Sequence, residues 1–123
     1  MKTLIETIPH KEQSYPTIGD WEYVDEQLVI KVSKLNNFYY ESLIAIHELI
    51  EAILCKRFEI SQLDVDIWDK NYEGEGEPGE DPKCPYYTPH LIATMIEQQM
   101  CMYLRLDWLK YEEIVKAALE SLQ

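Results

Sequence analysis

The segment from Phe38 to Phe58 constrains this chain more than any other. It is strongly apolar and helical in pattern, and Asn36 or Asn37 stands ready to cap it. A helix is expected over roughly 37–58. In its middle lies His47-Glu48-Leu49-Ile50-Glu51. Residues four apart share one face of a helix. His47 and Glu51 therefore point the same way, one turn apart, and Glu48 lies on the adjoining edge. An imidazole and a carboxylate at that spacing can grip one metal ion, and a second carboxylate beside them can handle protons. At about 100° per residue, Leu43, Ile46, Ile50, Ile53 and Leu54 form a broad apolar arc. Tyr40, Ile44, His47, Glu48, Glu51 and Cys55 form a separate stripe. The helix is expected to be mostly buried, and its carboxylates then need partners. Lys56, Arg57 or Arg105 are the simplest ones, and a backbone carbonyl could satisfy His47.

The flanks read differently. Residues 1–35 are β-rich: Thr3 to Ile8 and Trp21 to Val32 carry Val, Ile, Thr, Tyr and Trp, separated by Pro9, Ser14, Pro16, Gly19 and Asp20. Asp25 and Glu26 suit a hairpin turn. Residues 59–88 are expected to be mainly loop. Within them Leu63 to Trp68 alternates like a short edge strand, with Asp64, Asp66 and Asp69 on a solvated face. The run Glu73 to Asp81 is a flexible acidic stretch, and a lid over the candidate site is one role for it. Thr88-Pro89-His90 is expected to open a helix over about 89–105, with Thr88 as its cap. Another helix is expected over about 108–121, continuous with it or bent near Asp107. The fold class is then α+β: one domain over 1–123, with a small N-terminal antiparallel sheet packed on two or three helices.

Bulk properties narrow the function. With 123 residues and 46% hydrophobic content, the chain has material for one core. A net charge of −12 repels phosphate backbones, so nucleic-acid binding is disfavoured. The acidity suits a cation or a basic partner. Three distant cysteines, Cys55, Cys84 and Cys101, make no disulfide framework, which fits a reducing, cytoplasmic setting. Cys55 and Cys101 read as core, and Cys84 as an incidental loop residue. No apolar run reaches membrane-spanning length.

A second stripe follows on the next helix: His90, Thr94, Glu97 and Cys101. His90 and Glu97 lie about 10 Å apart along the axis. Either could complete a site begun by His47 and Glu51. His90 is preferred as the third ligand because it sits at the helix start beside the loop. Glu97 then supports a ligand or replaces one. Three protein ligands and a water are the usual open catalytic zinc site.

The arrangement resembles a minimal zincin-like metallopeptidase, with a short sheet, a helix bearing H-E-x-x-[HE], and a later helix carrying the third ligand. The resemblance covers Ile46 to Ala52 and the element order. It implies that His47 and Glu51 are metal ligands, that Glu48 is the general base, and that the activity is metal-dependent hydrolysis. Glu51 departs from that family's second His. A carboxylate there weakens the Lewis acid, so Mn²⁺ or Fe²⁺ joins zinc as a candidate, with zinc first. Two other readings stand beside this one. In the first, a non-enzymatic acidic binding protein keeps the stripe as a buried polar network. In the second, Glu48 and Glu51 match the E-x-x-E helix of all-α nucleoside triphosphate pyrophosphohydrolases, which hold Mg²⁺. Glu97 could join them, but Met100 stands where that family has its second acidic partner.

Overall fold

The computed structural model describes residues 1–121. It is α+β, with three strands followed by four helices: β1 (Lys2–Ile8), β2 (Gly19–Val24), β3 (Gln27–Ser33), α1 (Phe38–Arg57), α2 (Gln62–Asn71), α3 (Tyr87–Tyr103) and α4 (Trp108–Glu120). Short 3-10 turns lie at His10–Glu12 and Pro78–Glu80.

β2 and β3 form the expected hairpin. Asp25 and Glu26 both take positive φ, 48° and 59°, as a two-residue turn between right-twisted strands requires. The sheet is not purely antiparallel, however. Its order is β1-β3-β2, and β1 runs parallel to β3, with Ile5 beside Ile30 and Thr7 beside Val32. The cause is the long connection between β1 and β2. It crosses the end of β3, where His10 Nδ1 lies 2.7 Å from Ser33 Oγ and Gln13 Nε2 donates to the carbonyls of Ile18 and Lys31. β3 is thereby inserted between two strands that run in opposite directions.

The core lies between this sheet and α1. Trp21, Leu28, Ile30 and Val32 face Leu43, Ile44 and Ala52. α1 also packs along α3. Tyr111, 2% exposed, brings α4 against Tyr40, with ring centroids 5.3 Å apart.

α1 buries the mixed stripe together with Leu43 and Ala52. Tyr40, Ile44, His47, Glu51 and Cys55 are buried, while Ile53 of the apolar arc is 48% exposed. The helix starts as expected: Asn37 accepts the N–H groups of Tyr39 and Tyr40. It ends in a left-handed residue, Glu59 (φ 57°), with the Ile60 N–H bonded to the Cys55 carbonyl.

Residues 59–88 are not simply loop, because α2 occupies their first third. Ser61 caps it by accepting the Asp64 N–H at 3.0 Å. The alternation of Leu63, Val65 and Ile67 was no strand signal. Only Val65 is buried, and Leu63 and Ile67 point outward. Asp69 is not a solvated side chain either, since it accepts the hydroxyls of Tyr15 and Tyr86. Cys84 is buried and its sulfur accepts the Tyr86 N–H. α3 begins at Tyr87, one turn of backbone before His90, and Thr88 does not cap it. A break after α3 confirms two helices: Arg105 is left-handed (φ 59°), and the Asp107 carboxylate accepts from Leu109 and Lys110 at the start of α4. Among the described residues, no helix is long and apolar enough to cross a membrane.

Candidate metal centre

Five side chains from separate stretches of the chain meet at the middle of α1. His47 and Glu51 come from α1, His90 and Glu97 from α3, and Trp21 from β2. All five are buried. His47 Nε2 lies 3.2 Å from Glu51 Oε2 and 3.2 Å from His90 Nδ1, and His90 Nδ1 lies 3.0 Å from the same Glu51 oxygen. These three atoms form a nearly equilateral triangle. A tetrahedral ion with bonds of about 2.0–2.1 Å spaces its donors by roughly 3.3 Å. The triangle therefore has the size of three corners of that tetrahedron, and His47, Glu51 and His90 are a group able to hold a metal ion.

The surrounding contacts orient each donor. His47 Nδ1 lies 2.7 Å from Glu97 Oε1, and the Tyr111 hydroxyl donates to Glu97 Oε2. A carboxylate accepts, so the His47 Nδ1 proton points at Glu97, and in the neutral ring the Nε2 lone pair points into the triangle. Trp21 Nε1–H donates to Glu51 Oε1 at 3.0 Å, which leaves Oε2 for the triangle. Glu97 thus stands behind His47 rather than among the triangle atoms. The cations Lys56, Arg57 and Arg105 are not the partners of Glu51.

The acidic stretch closes over His90. Gly79 is buried against the His90 ring, and a Cβ there would lie 2.5 Å from His90 Cγ. Glu77 Oε2 comes within 3.3 Å of His90 Nε2, although its side chain remains 58% exposed. α2 holds this turn in place, because Trp68 Nε1–H donates to the Pro78 carbonyl at 2.9 Å. Glu77 and Glu80 form a second acidic grouping around His90.

Glu48 stands at the side of the triangle and packs on Gly19. A Cβ on Gly19 would lie 2.7 Å from Glu48 Oε1. Glycine is what lets β2 approach this carboxyl so closely.

Proton affinities follow from this crowding. Burial opposes charge on His90, but its hydrogen bond to Glu51 and its closeness to Glu77 outweigh it and raise the ring to about 9. His47 is likewise held well above its ordinary value, because Glu51 and Glu97 outweigh its burial. Burial would raise Glu51, yet the two imidazoles hold it down at about 2. Glu48 goes far up through burial and then through the charge of Glu51. Without an ion the cluster keeps protons on its imidazoles, in place of the positive charge a cation would bring.

Of the residues singled out in the sequence, His47, Glu51 and His90 converge, Glu97 supports His47, and Glu48 lies alongside. Trp21 and Tyr111 carried no local signal, being distant in sequence from the residues they serve; Glu77 and Gly79 belong to the acidic stretch for which a lid over the site was one expected role. A surface groove of about 430 Å³ runs between Leu54, Phe58, Ile60, Pro85 and Ile92, and none of the triangle residues lines it. No family model, curated protein or solved structure matches this chain, so the site is read from its own geometry.

Proposed function

We propose that this protein is a metal-dependent hydrolase of zincin-like type, with a divalent ion held by His47, Glu51 and His90. Zinc is the first candidate, and Mn²⁺ or Fe²⁺ the next. The observation that carries the reading is the triangle of two imidazole nitrogens and one carboxylate oxygen at 3.0–3.2 Å, with His47 set by buried Glu97 and Glu51 by buried Trp21. Carboxylates behind ligating histidines fix the tautomer and raise ligand basicity, and Glu97 suits that role for His47. When bound, such an ion supplies Lewis-acid chemistry and acidifies a water. Glu48 is the carboxyl to take the water's proton. Its high affinity in the ion-free cluster is drawn down by a cation beside it. Glu77 and the Pro78–Glu80 turn limit access to His90, so substrate entry requires that turn to move.

Glu51 and Glu97 sit on opposite nitrogens of His47. That arrangement favours a mixed nitrogen and oxygen site over the carboxylate-only Mg²⁺ site of the pyrophosphohydrolase reading. Elemental analysis of protein purified without a His tag tests the proposal. One ion per chain is expected, lost in His47→Ala and in His90→Ala but retained in Glu48→Gln. Cleavage of an unfolded protein substrate should disappear in all three. If the wild-type chain takes up no stoichiometric zinc, manganese or iron, the hydrolase reading fails. His47→Ala would then act on stability alone, as expected of a non-enzymatic acidic binding protein with a polar core.

A further inference from the structure

β1 contributes almost nothing to the core. Six of its seven residues are exposed and Ile8 is half-buried. It is held by its backbone ladder with β3, and Leu4 and Ile5 remain 36% and 49% exposed. Among the described residues no strand pairs with its other edge. The Lys2 N–H bonds to the Glu26 carbonyl and the Ile8 carbonyl accepts from Lys34 N–H, so the even-numbered residues direct their backbone groups towards β3. Alternation then turns the N–H and C=O groups of Thr3, Ile5 and Thr7 outward. Sheet edges are normally blunted by proline, a bulge or a covering side chain. β1 has no proline, and its register runs unbroken from Lys2 to Ile8. The opposite edge is treated differently: the outward N–H of Tyr23 on β2 donates to Gln62 Oε1 of α2 at 2.9 Å.

We propose that β1 pairs antiparallel with β1 of a second copy of this chain, joining two three-stranded sheets into one of six. The charges select the partner and the register. With the two-fold axis at Leu4, Lys2 faces the partner's Glu6, and Glu6 faces the partner's Lys2, on one face of the sheet. Leu4 meets its own counterpart between them. Thr3 and Ile5 then exchange the outward backbone hydrogen bonds. Shifting the axis to Ile5 sets Lys2 opposite the partner's Ile8 and Glu6 opposite the partner's Leu4. Shifting it to Thr3 sets Lys2 opposite the partner's Leu4 and leaves Glu6 beyond the paired segment. Opposite charges across an antiparallel pair are favourable and like charges unfavourable, so only the Leu4 axis satisfies both ends. The outer strands of the six are the two β2 edges, where Gln62 occupies an outward backbone group. This arrangement ends at two copies.

Sedimentation equilibrium of the full chain, without an N-terminal tag, tests the pairing. Wild type should show a reversible monomer–dimer equilibrium. Lys2→Glu places two like-charge pairs across the interface and should weaken the dimer roughly tenfold, and Glu6→Lys should do the same. The combined reversal, Lys2→Glu with Glu6→Lys, should restore it to within about threefold of wild type. Ile5→Pro removes an outward N–H while leaving the β3 ladder untouched. It should abolish the dimer with an unchanged circular dichroism spectrum. A wild-type chain that stays monomeric up to about 1 mM overturns the proposal. So does a dimer indifferent to the single reversals, or an assembly larger than two.

Discussion

At the scale of the residue, the site depends on close approaches that small substitutions disturb. Gly79 lies where a Cβ would stand 2.6 Å from His90 Nδ1. Gly79→Ala is expected to turn His90 out of the triangle and to weaken zinc binding by about 10–100-fold, the range seen when supporting contacts of a metal ligand are lost. Competition titration with a chromophoric chelator measures it. An unchanged affinity would mean that His90 is not a ligand. Trp21→Phe leaves Glu51 Oε1 buried without its donor, which should cost about 1–3 kcal/mol of stability in urea unfolding. The pairing of His47 with Glu51 was legible from their spacing, because i and i+4 contacts depend only on helix geometry. Trp21 as a donor to Glu51 was not. It lies thirty positions away, and no local pattern connects an alternating strand residue to a carboxylate on a helix.

At the scale of the element, α1 buries its polar stripe and leaves much of its apolar arc half-exposed. Hydrophobic periodicity indicated a mostly buried helix, and it did not rank the two faces. The stripe can be buried because His47 and Glu51 are matched by Glu97 and His90 of α3 and Trp21 of β2, and paired groups carry little of the penalty of an isolated charge. Local chemistry was more reliable at helix ends. Asn37→Ala should cost about 1 kcal/mol by removing the acceptor for the Tyr39 and Tyr40 N–H groups, seen as a lower denaturation midpoint. A shift of a few tenths or less would show that the cap is replaced by water. α2 was hidden by a conflict of patterns. Its short apolar alternation resembles a strand over six residues, whereas Ser61 and the inward pair Val65 and Trp68 have helical spacing.

At the scale of the whole molecule, the cluster links stability to pH and, on the proposed reading, to metal. His90 sits at about 9 when folded, against an ordinary 6.5. Its ion pairs therefore contribute fully below pH 6.5 and are lost as pH rises through 9. Glu51, at about 2 against 4.5, contributes above pH 4.5 and loses that contribution as pH falls through 2. Asp20 and Asp69 are pushed up to about 6, chiefly by burial. Ionising them costs stability as pH rises from 3.8 to 6. The ion-free chain should therefore lose stability steadily from pH 4.5 to pH 9, measured as the urea midpoint. Zinc should oppose the upper part of that loss. Its ligands must be deprotonated to bind it, so its affinity rises over the same range. A flat midpoint between pH 6.5 and 9 without metal would mean that the imidazoles are not proton-loaded in the folded chain.

The local parts were readable in the sequence: the helix around His47, its cap at Asn36 or Asn37, the Asp25–Glu26 hairpin, and the two stripes of His and Glu side chains. Each depends on neighbours within about one or two helical turns. The tertiary structure alone decided the rest. It set β1 parallel to β3 and put Tyr111 behind Glu97 and Trp21 behind Glu51, whereas His90 at the triangle and Glu97 in support were already expected from their stripe. It also folded the Pro78–Glu80 turn onto His90. These are contacts between segments far apart in the chain, chosen by which packing leaves the fewest buried charges unmatched, and no single stretch of sequence contains that choice.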